Sequence, residues 1–166
     1  MTAQLNIEIS VKTPRWSDCL PDAAALAQQA AQMAWQRCGD NRPDTELSIV
    51  LADDSLLLSL NDRYRNKNEP TNILSFPVDD DAQPEMPRLL GDVVLAFETI
   101  YLEAETQDKA FADHFQHLCI HGVLHLLGHD HKHETEAAVM EALEIAILSA
   151  MGVSNPYADP RMKRPT

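Results

Sequence analysis

The sequence predicts an α+β fold in a single domain: a small mixed sheet of about four strands, with five or so helices packed on it and a histidine-bearing helix against the sheet. Three observations carry this reading. Short alternating or apolar segments occupy the first hundred residues between helical stretches, and from Glu98 onward the pattern is almost wholly helical. The length, 166 residues, is that of one ordinary domain able to bury a core without staples. No internal repeat or linker interrupts it.

Leu5, Ile7, Ile9 and Val11 alternate with polar residues, the period of a half-buried strand. The segment from Asp22 to Arg37 is rich in Ala and Gln, lacks Gly and Pro, and is stopped by Gly39, which predicts a helix. A second strand is expected over Leu47 to Leu51. Asp53 and Asp54 then cap a helix through Leu56, Leu57, Leu60 and Tyr64. A polar loop from Asn66 to Thr71 leads into a third strand over Ile73 to Phe76, ended by Pro77. The prolines from Pro77 onward mark Val78 to Arg88 as a loop. Gly91-Asp92 opens a fourth strand over Val93 to Phe97, and helices follow over Glu98 to Asp108, Ala110 to Leu127 and Glu134 to Met151. One domain is expected over 1–157, with 158–166 as a frayed tail.

Composition excludes several classes of function. A content of 45% hydrophobic and 23% charged residues is that of a globular protein. No apolar run approaches the roughly 18 residues that span a bilayer, so no membrane role is expected. The first residues show no basic segment followed by an apolar stretch, and Cys19, Cys38 and Cys119 form no CxxC pair. A cytoplasmic location is expected. The net charge of −13 opposes a general nucleic-acid coat, and no DNA partner is expected. Acidic runs at Asp79 to Asp81 and at Glu134, Glu136, Glu141 and Glu144 read as solvated surface. Basic residues gather instead at Arg63, Arg65 and Lys67.

All seven histidines lie between His114 and His133. His121 and His125 fall four apart, one turn above the other on one helix face. Gly128 can take the left-handed conformation that ends a helix, after which His131 can swing back as a third ligand. Three imidazoles with an open fourth position suit catalytic zinc, so one Zn2+ per chain is expected on His121, His125 and His131. Burying imidazoles without partners would cost about 1–3 kcal/mol each, which a shared metal removes. His117 and His114 share the helix face, but His117, His121 and His125 together span about 12 Å of rise, too far for one ion. His117 and His114 are therefore expected in supporting roles. His129 is expected to point elsewhere, with a place in the metal coordination as the minor alternative, and His133 to face solvent. Asp130 either orients a ligand imidazole or caps the turn; Asp92 and Ser75, at strand ends, either touch the site or serve as turn or cap residues, the second being favoured.

Gly122 stands where zinc proteases of the H-E-x-x-H type carry their glutamate base, so a peptidase of that mechanism would lack it. A metal-dependent hydrolase of peptides or small molecules is thus the weaker alternative.

The run from His121-Gly122 to His131 resembles the HGxLHLxGYDH signature of the YbeY family of bacterial endoribonucleases. Leu60 to Arg65 and Glu69 to Pro77 resemble its LNxxYRxxxxPTDVLSFP motif, and Leu90-Gly91-Asp92-Val93-Val94 its LGDI/V strand. Glu141 to Gly152 with Asn155-Pro156-Tyr157 resembles its closing helix and tail. His129 stands where Tyr is usual, and Asn72 where Asp is common. The resemblance implies a zinc-dependent, single-strand-specific endoribonuclease of ribosomal RNA, acting in 3′ maturation of the small-subunit RNA and in ribosome quality control. Single-stranded RNA, ribosomal RNA and ribosomal subunits are the implied partners. The family's functional arginine maps onto Arg65, whose guanidinium can grip a phosphate through two hydrogen bonds. Arg65 and His121 are thus the candidate catalytic residues, with Arg63, Arg65 and Lys67 as candidate RNA contacts. The general base is unassigned.

Overall fold

Strand β1 (Asn6–Val11) forms where the sequence alternates, and pairs in parallel with β2 (Thr45–Ala52). The computed structural model describes residues 5–40, 42–67, 69, 71–78 and 87–158. β2 pairs in parallel with β4 (Arg88–Ala96), and β4 pairs antiparallel with β3 (Ile73–Pro77), giving a mixed sheet of order β1-β2-β4-β3. The sheet therefore ends at β3, with Ser75 opposite Val93.

Helices α1 (Arg15–Cys19), α2 (Ala23–Cys38), α3 (Asp54–Arg65), α4 (Phe97–Thr106), α5 (Phe111–Leu126) and α6 (Glu134–Ala150) complete the described residues. The period-2 alternation of the strands divides the apolar residues between two faces. Leu47, Ile49, Leu51, Val93 and Leu95 join α2 and α5 in the larger core, with Ile73 packed against it. Ala52, Leu74, Val94 and Ala96 meet Leu57 of α3 on the other face, with Phe76 and Leu60 beside them. Each fully buried Leu, Ile or Val is worth about 1.5–3 kcal/mol. Asp53 caps α3 as expected, its carboxylate accepting the Leu56 N–H at 2.9 Å.

Three differences from the sequence reading stand out. Helix α1 was not expected; Trp16 anchors it, buried among Phe97, Phe111 and Phe115 and donating its indole N–H to the Ala52 carbonyl at 2.9 Å. Arg88, placed in a loop, opens β4. Its guanidinium bonds Asp40 at 2.8 Å and lies 5.5 Å from the Trp35 ring, which makes a charged strand residue tolerable in the interior. Phe97, expected to close that strand, begins α4 instead. Of the tail expected over 158–166, all but Ala158 lies outside the described residues, as does most of the loop after Val78.

Candidate metal centre

Helix α5 presses onto the sheet at Gly122. A Cβ there would stand 2.8 Å from Val93 Cγ1 and 2.9 Å from Ile73 Cδ1, and Ser75 donates its hydroxyl to the Gly122 carbonyl at 3.2 Å. This close approach accounts for a glycine in place of the glutamate: a side chain after His121 would have to displace Val93 or Ile73. It also leaves His121 and His125 together on the helix face beside the sheet contact.

The helix ends in a Schellman turn. The His129 N–H bonds the Leu124 carbonyl and the Gly128 N–H bonds the His125 carbonyl, each at 3.0 Å, with Gly128 at φ +100°. Asp130 accepts the His131 N–H at 2.7 Å and so caps the returning chain. The turn carries the exposed His131 ring to within 5.1 Å of His125 and 5.4 Å of His121, measured between centroids. One ring nitrogen from each of His121, His125 and His131 lies within 4.8 Å of the others, close enough to hold one metal ion. His129 is not a member of this group.

The donor chemistry fits a metal. The Nε2 atoms of His121 and His125 face each other at 3.0 Å. Burial, then the neighbouring His121 and His131, push the His125 imidazole down to about 4, so it is neutral at physiological pH. His121 Nδ1 lies 2.7 Å from Glu144 Oε2. Glu144 is fully buried on α6 and also accepts from His117 Nε2 at 2.8 Å and from the Tyr157 hydroxyl. Burial pushes the Glu144 carboxyl up, but hydrogen bonds from His117, His121 and Tyr157 outweigh it and hold the pKa at about 2. A carboxylate at that place requires the proton of His121 on Nδ1, which leaves its Nε2 lone pair free for a metal.

His114 donates from Nε2 to Glu103 at 2.9 Å, and Glu103 also accepts from the Asn72 amide at 3.0 Å. A cleft of about 350 Å3 opens beside His121, between Glu103, Lys109 and Tyr157. Arg65 lies at the exposed end of α3 and donates to the Ser75 carbonyl at 2.8 Å. Ser75 thus lies on β3, as expected, between Arg65 and the histidine helix. Among the described residues, no hydrogen bond or ion pair joins the exposed Arg63 or Lys67 to the three histidines.

A family model described as Endoribonuclease YbeY matches residues 7–152. The chain belongs to the YbeY family. The Endoribonuclease YbeY of Paramagnetospirillum magneticum is 48% identical over 165 residues, covering 96% of this chain and 99% of that one. That of Azorhizobium caulinodans is 45% identical, covering 94% and 98%. A Thermotoga maritima protein solved in solution shares the fold of this YbeY chain at a TM-score of 0.51 and 19% identity, covering 96% of this chain and 99% of the other.

Sequence reasoning missed two residues at the centre of this YbeY-family chain. Glu144 was grouped with solvated acids, yet has no exposure. Tyr157 was noted only within the closing motif and given no role, yet its hydroxyl lies on Glu144 and 3.2 Å from His117 Nε2. The signal for Glu144 was present. It falls in the apolar stripe of α6 with Met140, Ile147 and Leu148, where a lone carboxylate needs buried donors.

Proposed function

We propose that this chain is a zinc-dependent, single-strand-specific endoribonuclease with its catalytic domain over 1–157. Its proposed work is ribosomal RNA processing in the cytoplasm, at the 3′ end of the small-subunit RNA and in ribosome quality control, with ribosomal subunits as partners. The observation that carries the reading is the three-imidazole cluster, open on the His131 side and linked through Ser75 to an exposed arginine. The curated relatives named endoribonuclease support the choice of RNA.

His121, His125 and His131 would hold the ion. An ion held there would supply Lewis acidity and would lower the pKa of water. The chain's own groups do the rest. Glu144 keeps the proton on His121 Nδ1 and fixes the plane of the ring. The low proton affinity of His125 keeps its nitrogen available at neutral pH. Arg65 spends one N–H on the Ser75 carbonyl, which steadies the guanidinium, and its other donors are available to charge developing on a phosphate. Arg63 and Lys67 draw the RNA backbone toward a chain that is otherwise acidic.

Peptide hydrolysis of the H-E-x-x-H type is disfavoured by Gly122, which the sheet contact keeps free of a side chain. A closed structural site with Cys119 as fourth ligand is disfavoured as well, because that thiol is buried in the core and burial pushes its pKa up. The test incubates wild type, His121→Ala and Arg65→Ala with single-stranded RNA, duplex RNA and casein, with and without chelator. Cleavage of the single strand by wild type alone supports the reading. Casein cleavage overturns it, and full-rate cleavage by metal-loaded Arg65→Ala removes Arg65 from the chemistry.

A further inference from the structure

Tyr64 sits near the end of α3 with 61% of its surface exposed, a large aromatic ring left in water. Its neighbours are ordered around it. Phe76 of β3 meets it edge-on at 5.6 Å, Arg63 lies 6.0 Å from its centroid, and Arg65 lies 5.7 Å from the Phe76 ring. These residues form an aromatic pair flanked by two guanidinium groups, in the basic patch of a chain with net charge −13.

The patch is continuous with the metal centre. Along β3 the side chains alternate, so Phe76 lies on the α3 face while Ser75 lies on the α5 face and reaches Gly122, next to His121. Arg65 binds the Ser75 backbone between the two. The sheet ends at this strand, which carries Phe76 of the aromatic pair on one face and the Ser75 contact to the histidine helix on the other.

We propose that Tyr64 is a stacking platform for an unpaired base of the RNA strand, braced by Phe76 and flanked by Arg63 and Arg65 as phosphate contacts. The proposal rests on RNA being the substrate. An exposed ring beside cations suits single strands because every base offers a π-face, whereas a duplex keeps its bases stacked on one another. It thereby supplies a physical basis for single-strand preference that the metal centre alone does not contain.

Binding tests this apart from cleavage. Fluorescence anisotropy of a labelled 2′-O-methyl single strand, its intactness checked on a gel, is measured with the zinc-loaded full chain and with Tyr64→Phe, Tyr64→Leu and Tyr64→Ala. Phenylalanine keeps the π-face and binds within about two-fold of wild type; leucine and alanine bind about ten-fold or more weakly. On a strand of abasic sites the difference between wild type and Tyr64→Ala disappears. Thermal melting of the variants stays near wild type, since the ring is mostly exposed. Wild-type affinity in Tyr64→Ala, or leucine equal to phenylalanine, overturns the proposal. If wild type binds no single strand, the ribonuclease reading fails with it, and the wild-type titration reports that by itself.

Discussion

His121 Nδ1 lies 2.7 Å from Oε2 of Glu144, a carboxylate with no solvent exposure that is carried on another helix. The pair joins α5 to α6 and fixes which nitrogen of His121 faces the metal position. His117 and Tyr157 take the other carboxylate oxygen, so all three donors converge on one buried charge.

Replacing Glu144 by Gln keeps the volume but puts an NH2 group against one of the imidazole donors. Zinc affinity, measured by competition with a colorimetric chelator, is expected to fall about 10–100-fold, the usual cost of losing a partner that orients a ligand histidine. Unchanged affinity would show that Glu144 serves only the packing of α6.

Gly128→Ala tests the turn that returns His131. The position has room for a methyl group, but its φ of +100° strains any L side chain. The expected cost is about 1–3 kcal/mol, read as a fall in melting temperature of about 2–4 °C per kcal/mol. Weaker zinc binding should accompany it.

Gly122→Ala puts a methyl group within 3 Å of Val93 and Ile73. Overpacking of this kind costs about 1–3 kcal/mol, and Gly122→Glu more. Denaturant melts should therefore show both variants destabilised, and Gly122→Glu should gain no casein activity. A Gly122→Glu protein as stable as wild type would remove the steric explanation for the missing glutamate.

His125 gives a pH signature in metal-free protein. Its pKa of about 4 in the fold lies below the ordinary 6.5. Between those values the unfolded chain binds a proton that the fold refuses, so this residue makes stability fall as pH drops from about 6.5 and level off below about 4. Denaturant titrations of the chelated protein should show that slope, and His125→Asn should flatten it.

The elements that define the fold were legible because each had a local cause: the alternation of Leu5 to Val11, the Asp53 cap, and the glycine after α5. The histidine trio was legible for the same reason, since the helical period and the Gly128 turn act within eleven residues. What escaped depended on distant partners. Arg88 reads as a loop residue until Asp40 and Trp35 are beside it. Trp16 forms a short helix because a pocket of phenylalanines and the Ala52 carbonyl receive it. Glu144 looks like surface charge until His117, His121 and Tyr157 close over it.

The most direct test of a three-histidine metal centre that cuts RNA is a zinc titration of untagged, chelator-stripped protein. The rate of single-strand cleavage is followed for wild type beside a parallel preparation of His121→Ala. The expected rate rises from background and saturates near one zinc per chain, with no rise in His121→Ala. Equal cleavage by stripped wild type and His121→Ala, unmoved by added zinc, would contradict the metal centre as the source of the activity.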